Sequence, residues 1–371
     1  ATEQGVREQA EQYLQSVQHA DNVLHVCNDV LERSGSPLAE FHAARIMCTA
    51  CLEKWDAVDA AARSQLREYL FRYGVSRANA LTLPVRNKVL QAHAILWKRG
   101  WLEMTQADAD EFLGRVEQSL SSSADNATSV TLVQTLTSLV QEFSSAKSSS
   151  VGLTLEWHRK SAEAFQARGL QRIMRIALAY ISTLLKSFDH GASIVPVLVP
   201  ALALLVETLS WEFLRSGQAG SDYMTKQRRA SMSSASTATT NERADEETAP
   251  VVPVAAFRDL FLFSELKTVM LHVYTAVRFH SEELRTLATQ SLLLLASVRG
   301  DEVFHNHAER VQYLSACLIP VLQSAVVPPN GAILSEEEAG DAIAVCRILS
   351  QLVASFGTVI LVQVPNVIEA L

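Results

Sequence analysis

Apolar residues recur along the chain with the spacing of amphipathic helices, and the helices themselves recur with a nearly fixed period. The stretch from Phe41 to Trp55 places its apolar side chains at steps of three, four and one, which form a single stripe on a helix. Similar long segments begin near residues 39, 84, 127 and 170, which are 45, 43 and 43 residues apart. Each is followed by a shorter amphipathic segment, and no segment alternates at the period of two typical of strands. The pattern predicts an all-α fold, a right-handed superhelical α-solenoid of HEAT-type helix pairs.

Local signals place the ends of several helices. Pro84 is expected in the first turn of one helix, which then ends at Lys98-Arg99-Gly100, basic charge followed by glycine. Gly74 is expected to end the helix before it, and Asp108 with Glu111 three residues on predicts a capping box for the helix through Leu120. The later helices are predicted at residues 153–165, 170–188, 194–211, 257–279, 282–298, 308–326 and 336–356.

A change in composition divides the chain into three parts. Residues 215–256 consist mainly of Ser, Thr, Ala, Gly and charged residues, so we predict a disordered insertion between N-terminal HEAT repeats at 1–214 and further repeats at 257–371. Within the insertion, Arg228-Arg229-Ala230-Ser231 fits a basophilic kinase site at Ser231, although four-residue matches of this kind are common by chance. The chain starts at Ala1 and stops at Leu371 inside an apolar run, so we expect it to belong to a longer protein.

Composition argues against several functions and leaves the role of the acidic surface open. The net charge of -8 and the pI near 5.7 argue against direct nucleic-acid binding, because phosphate contacts need a basic surface. An acidic surface suits a basic protein partner, or serves solubility alone. Five cysteines, an odd and scattered number, predict no disulfide framework and a reducing compartment. The longest apolar run, residues 194–206, has 13 residues and is too short to span a membrane.

The motifs of enzymes and cofactor sites are missing from the sequence. There is no glycine-rich phosphate loop, no G-x-S-x-G turn and no H-E-x-x-H helix. Cys48 and Cys51 form a lone C-x-x-C, but both fall on the apolar stripe of their helix, which favours buried core thiols over a metal or redox site. We therefore predict neither an enzyme nor a protein with a cofactor or metal, but one that binds partners through an extended surface.

Several short stretches resemble one superfamily of transport receptors. They are Ala10-Glu11-Gln12-Tyr13-Leu14, Phe41-His42-Ala43-Ala44-Arg45, Leu96-Trp97-Lys98-Arg99-Gly100, Gln141-Glu142-Phe143-Ser144-Ser145, Gly152 to His158, Ala164-Phe165-Gln166, Leu209-Ser210-Trp211-Glu212-Phe213-Leu214, Leu287 to Arg299 and Val311-Gln312-Tyr313-Leu314. On these residues the chain is similar to the N-terminal part of an exportin of the importin-beta (karyopherin) superfamily, with the superfamily's N-terminal domain at about residues 8–75. The residues 215–256 depart from the pattern in length and composition.

The resemblance implies a nuclear transport receptor that shuttles between nucleus and cytoplasm and is controlled by the small GTPase Ran. In an exportin, cargo and Ran-GTP bind together, and GTP hydrolysis releases both. For the branch that the chain resembles, the implied cargoes are the translation factor 5A and Smad-type factors. Contact with the FG repeats of nucleoporins is implied as well, and binding to membranes or nucleic acid is not. Two alternatives remain open: a HEAT-repeat scaffold and an enzyme-regulatory subunit, both insensitive to Ran.

In such receptors the first repeats contact Ran through the second helix of each pair. The second helices predicted here carry an acidic series: Asp21, Asp29, Glu32, Asp59, Glu68, Asp108, Asp110, Glu111 and Glu117. The competing interpretation is that these residues are solvated charges and helix caps, which already accounts for Asp108 and Glu111. No cap accounts for Asp29, Glu32, Glu68 and Glu117, and we predict a Ran-binding role for these four residues.

Overall fold

The described part of the chain is helical. A computed structural model describes residues 3–123, 125–144, 153–188, 194–214, 250–263, 265–324 and 334–357, and no strand occurs among them. The chain divides into two compact units, Ala1–Thr208 and Leu209–Leu371. Consecutive helices pack against their neighbours within each unit, which confirms the predicted all-α solenoid.

The first unit contains the repeats that bear on function. Its helices are α1 (Glu3–His19), α2 (Val23–Arg33), α3 (Pro37–Glu53), α4 (Ala60–Ser76), α5 (Leu83–Gly100), α6 (Gln106–Ser122), α7 (Asn126–Ser144), α8 (Leu155–Phe165), α9 (Gln171–Phe188) and α10 (Val195–Leu209). Helix α3 packs on α5, and α5 packs on α7, so these first helices form one layer. The second helices α2, α4 and α6 each pack on the first-helix layer, through α3, α5 and α7 respectively.

The second unit has shorter helices at its start than the sequence predicts. It contains a 3-10 turn (Ala255–Phe257) and the helices α11 (Arg258–Leu262), α12 (Leu266–Val277), α13 (Glu282–Ala296), α14 (His307–Ser324) and α15 (Glu336–Phe356). The single helix predicted over 257–279 is therefore wrong, because the helix is interrupted between α11 and α12. Both pieces still bury apolar faces, among them Phe261 of α11 and Met270 of α12, which is why one continuous pattern hid the break.

Hydrogen bonds join each repeat to the next at a separation close to the predicted period. The Tyr73 hydroxyl donates to the carbonyl of Leu31 over 2.9 Å, and Lys98 Nζ donates to the carbonyl of Glu142 over 2.6 Å. The first helices α3, α5 and α7 begin 46 and 43 residues apart. Each repeat thus satisfies polar groups of its neighbour, as expected where contacts are local along the chain.

Two helix ends differ from the predicted ones. The capping box of α6 is formed by Thr105 and Asp108, whose side chains exchange hydrogen bonds with each other's backbone N–H, and not by Asp108 with Glu111. Helix α4 also continues through Gly74 to Ser76. Gly74 serves close packing instead of termination, because a Cβ there would lie 3.2 Å from Cδ2 of Leu90.

Helices α8 and α9 form one continuous element, where two separate helices were predicted. A π-helical segment, Gln166–Leu170, joins them. Helix α9 packs on the second helix α6, so the long segment that begins near residue 170 does not continue the layer of α3, α5 and α7 as the period suggested. The strong apolar stripe of α9 is buried on the second-helix side instead.

Part of the predicted insertion is packed. Val251 is buried, its N–H donates to the Ser297 hydroxyl, and its carbonyl accepts from the N–H of Arg299. The rest, residues 215–249 with the kinase-site candidate Ser231, lies outside the described residues. Among the described helices, α15 is long and apolar enough to cross a membrane by composition alone, but its buried face packs on α13 and α14 as a core helix does.

Candidate partner-binding face of the second helices

Three helices of the first unit present a continuous polar surface, here called the second-helix face: the outward side of α2, α4 and α6. Each helix buries one stripe, for example Val23, Cys27 and Leu31 on α2, and leaves its charged residues outside. The four predicted contact residues Asp29, Glu32, Glu68 and Glu117 all lie on these helices and keep part of their carboxylates exposed.

Glu32 is tied to the following repeat. Its Oε2 lies 2.6 Å from Nη2 of Arg77, and its Oε1 accepts from the Tyr69 hydroxyl over 3.0 Å. Burial, followed by the hydrogen bond to Glu32, raises the pKa of Tyr69. Arg77 also donates to the carbonyl of Leu31, so it secures the end of α2 as well as its carboxylate.

The same arrangement recurs on the next two second helices. Glu68 of α4 lies 2.8 Å from Nη2 of Arg115 on α6, a hydrogen bond that raises the pKa of the arginine. Glu117 of α6 lies 3.4 Å from Nη2 of Arg172 on α9, whose Nη1 lies 2.9 Å from Asp110. Three of the predicted residues thus form an ion-pair ladder, in which each carboxylate faces an arginine of the next repeat.

The remaining acidic residues have local roles. Among the residues that the structure describes, Asp29 pairs only within α2, at 3.7 Å from His25 and 3.6 Å from Arg33. Asp59 is the N-cap of α4 and accepts from the N–H of Ala62 over 2.8 Å. Asp21 precedes the first residue of α2 and does not lie on that helix. The predicted acidic series is therefore a mixed surface of acids and arginines.

A cleft of about 310 Å³ opens on this face between α4 and α6, with α5 as its floor. Its walls carry Arg63, Arg67 and Arg115, and its floor includes His93 and Trp97. At one end Arg63 lies 2.9 Å from Oε2 of Glu103, whose Oε1 accepts from the indole N–H of Trp55 over 3.2 Å. The cleft is large enough to admit a side chain of a bound protein.

His93 is a neutral residue under the cleft. Its Nε2 accepts from the indole N–H of Trp97 over 2.9 Å, so the proton of the neutral ring resides on Nδ1. Nδ1 is buried and has no hydrogen-bond partner. Burial, followed by the charges of Arg67 and Arg115, lowers the pKa of His93 to about 3.

The described residues offer little of the chemistry of a metal or catalytic site. No group of three or more His, Cys, Asp or Glu side chains among them is arranged to hold a metal ion. Cys48 and Cys51 are buried in the core of the first unit, where burial raises their pKa values to about 12 and about 11. Both thiols stay protonated at neutral pH, in keeping with the core role predicted for them.

The arginines of this face were not identified from the sequence. Arg77, Arg115 and Arg172 follow their acidic partners by 45, 47 and 55 residues, about one repeat or slightly more. The sequence did contain one signal for these ion pairs, which is an acidic residue on a second helix followed by an arginine about one repeat later. Arg67 and His93 gave no such signal, because an isolated arginine on a polar face and a histidine in an apolar stripe are both common.

Comparison with known proteins assigns the chain to a family. The sequence model of the family described as Exportin-4 matches residues 1–369. The protein named Exportin-4 from Dictyostelium discoideum is 25% identical over 240 residues, which cover 59% of this chain and 21% of that protein. The chain therefore spans about a fifth of the length of this curated relative.

Proposed function

The chain belongs to the exportin-4 family of nuclear export receptors, and we propose that its second-helix face is where such a receptor binds Ran-GTP. The family consists of transport receptors and not of enzymes. The proposal concerns the first unit, where α2, α4 and α6 carry the candidate contacts.

The observation that supports it best is the regular placement of half-exposed carboxylates on consecutive second helices. Glu32, Glu68 and Glu117 each lie at the surface, and each is paired with an arginine that is also partly exposed. Exposed ion pairs of this kind contribute little to stability, so a charged partner can replace the arginine at small cost. Basic side chains of Ran would meet a row of carboxylates whose spacing is fixed by the helix stack.

In a longer receptor, cargo would be gripped together with Ran-GTP by repeats beyond these. We include as proposed cargoes the translation factor 5A and Smad-type factors, with FG repeats of nucleoporins as transient partners during passage through the pore. The protein would then shuttle between nucleus and cytoplasm. A scaffold or regulatory subunit would instead bind its partner equally whether Ran carries GTP or GDP.

Charge reversal on the face tests the proposed site. The test variant carries Asp29→Lys, Glu32→Lys, Glu68→Lys and Glu117→Lys. The control variant carries Glu8→Lys, Glu11→Lys, Glu53→Lys and Glu156→Lys, four exposed acids outside the second-helix face. We expect the test variant to lose affinity for Ran-GTP and to associate more slowly at low salt, because opposite charge steers encounter. The control has the same net charge and should change little.

A pair exchange separates contact from stability. In Glu68→Arg/Arg115→Glu the ion pair between α4 and α6 is kept with its charges exchanged. We expect this variant to unfold like the wild type and to bind Ran-GTP more weakly. Wild-type affinity in both the fourfold and the exchanged variants, with helicity intact, would place the Ran site elsewhere on the chain.

A further inference from the structure

Arg67 is the charged group of the α4–α6 cleft whose hydrogen-bond donors are unused. Among the described residues it forms no ion pair and no hydrogen bond, although it is half-buried. The other two arginines of the cleft are engaged, Arg63 with Glu103 and Arg115 with Glu68. A guanidinium has five N–H donors in a fixed plane, and this one faces an open cavity of about 310 Å³.

Packing around Arg67 holds its guanidinium in place. The group lies over the ring of Trp97, 5.4 Å from the ring centroid. On another side it approaches Gly100, where a Cβ would lie 3.1 Å from Nη1 of Arg67. The glycine at the end of α5 therefore leaves the space that the guanidinium uses. Aromatic stacking and close backbone contact pre-organise an arginine for a planar acceptor.

His93 provides a second donor without a partner in the same place. It lines the floor of the cleft, is almost fully buried, and its Nδ1 has no hydrogen-bond acceptor. Its Nε2 is occupied by the N–H of Trp97, so the free nitrogen is the one that bears the proton. Two neighbouring groups with unused N–H donors, one cationic and one neutral, suit an acceptor with two oxygens.

The carboxylates of the cleft do not fill that role. Glu103 is held by Arg63 and Trp55, and Glu68 by Arg115. Asp108 is held in the capping box of α6, and Glu111 is exposed at the rim without an ion pair among the described residues. Burial, followed by the charge of Arg63, lowers the pKa of Arg67, and the charges of Asp108 and Glu103 offset this only in part.

We propose that the α4–α6 cleft receives a carboxylate from an acidic side chain of the protein bound on the second-helix face, and that Arg67 grips it through a bidentate pair. This inference rests on the proposed function for the identity of that protein, Ran-GTP. The acidic side chain complements the ladder: carboxylates of this chain meet basic groups of the partner, and one arginine of this chain meets an acid of the partner. Such a reciprocal contact fixes the orientation of the partner.

The first test compares two variants of the 371-residue chain that remove one positive charge from the same helix. Arg67→Gln empties the cleft of its free cation, and Arg72→Gln removes an exposed arginine of α4 that does not line the cleft. We expect Arg67→Gln to weaken binding of Ran-GTP about tenfold or more, since loss of a charge-assisted bidentate pair costs more than a surface charge. Arg72→Gln should stay within about twofold of the wild type. Arg67→Lys, which keeps the charge without the fork, should fall between the two.

A small probe makes the inference independent of Ran. The arginine Nε–Hε NMR signal of Arg67, assigned by its loss in Arg67→Lys, would be followed during titration with N-acetyl-glutamate methylamide and with its glutamine counterpart. A saturable shift with the glutamate probe alone supports the carboxylate site. Equal shifts with both probes, or a shift with inorganic phosphate and none with the glutamate probe, would overturn it.

The two proposals fail in different ways. If the wild-type chain binds Ran-GTP and Arg67→Gln binds it as well as Arg72→Gln does, the carboxylate site is wrong while the proposed function stands. If the wild-type chain does not bind Ran-GTP, the proposed function fails, and the probe titration alone decides the cleft. Thermal unfolding of each variant shows that the fold is intact before binding is compared.

Discussion

Glu68 of α4 and Arg115 of α6 form an ion pair of 2.8 Å across the mouth of the cleft, and each side chain is 43% exposed. The pair links two successive repeats of the solenoid. Water reaches both groups, so the attraction is screened and the pair is open to exchange with another charged molecule. Such a contact is poorly suited to holding the fold together and well suited to meeting a partner.

This relationship predicts a small energetic coupling. A double-mutant cycle with Glu68→Gln and Arg115→Gln should give a coupling of about 0.5 kcal/mol in the free energy of unfolding, falling as salt is raised. Urea unfolding of the four proteins at low and high salt measures it. A coupling of several kcal/mol that does not change with salt concentration would show that the pair stabilises the fold, and would weaken its assignment to partner binding.

Lys98 and Glu142 should behave in the opposite way. Their side chains are only 3% and 15% exposed, and Lys98 Nζ donates to both the carbonyl and the carboxylate of Glu142. Burial lowers the pKa of Lys98 and raises that of Glu142, so desolvation outweighs their attraction. Lys98→Met should therefore cost about 3 kcal/mol, because it leaves a buried carboxylate unpaired.

The matching double variant checks this explanation. Lys98→Met/Glu142→Gln removes both charges, and we expect it to be more stable than Lys98→Met alone in urea unfolding. A double variant less stable than either single one would show that the cost comes from lost packing of the lysine stem and not from the unpaired charge.

His93 predicts a loss of stability in acid. Its pKa is about 3 in the folded chain, against 6.5 for an unperturbed histidine, so between these values the unfolded chain binds the extra proton. The contribution of His93 is fully present above about pH 6.5 and is lost as the pH falls towards 3, at up to ~1.4 kcal/mol per pH unit. His93→Gln keeps an acceptor for Trp97 and cannot take up a proton. The variant should show a shallower decline of unfolding free energy between pH 6.5 and 4, and parallel curves would contradict the assignment.

Asp341 of the second unit lies at the centre of a buried polar cluster. Its Oδ1 accepts from the Tyr274 hydroxyl over 2.5 Å, and its Oδ2 lies 3.0 Å from Nη1 of Arg278. Asp341→Ala should lower the free energy of unfolding by about 3 kcal/mol, since it removes a buried carboxylate that accepts from Tyr274 and pairs with Arg278. Asp341→Asn keeps an acceptor for one partner and should cost less. Equal thermal stability of wild type and Asp341→Ala would contradict this account.

Helix periodicity was predictable from the sequence because it depends on local spacing of apolar residues. The first helices were expected near residues 39, 84 and 127 and begin at Pro37, Leu83 and Asn126. Packing between helices was harder to predict from the sequence. Gly74 is a residue type expected at a helix end. Its lack of a Cβ instead allows close contact with Leu90, and the sequence does not show that contact. The layer to which α9 belongs depends likewise on its contact with α6.

The candidate surface was predicted in part. Asp29, Glu32, Glu68 and Glu117 were placed on the correct helices because they fall outside each apolar stripe, and the resemblance then suggested a role for them. Their arginine partners were missed, because pairing across one repeat depends on how each helix is rotated in the stack. The free donors of Arg67 and His93 were missed for a related reason: whether a polar group is satisfied is a property of its neighbours in space.

The affinity of the 371-residue chain for Ran in its two nucleotide states tests the central proposal most directly. Isothermal titration with Ran-GTP and with Ran-GDP, at low and moderate salt, measures it. We predict clear binding of the GTP form, weaker at higher salt, and at least about tenfold weaker binding of the GDP form. Equal affinity for both forms, or no binding of either by a folded chain, would contradict the account and favour a scaffold insensitive to Ran.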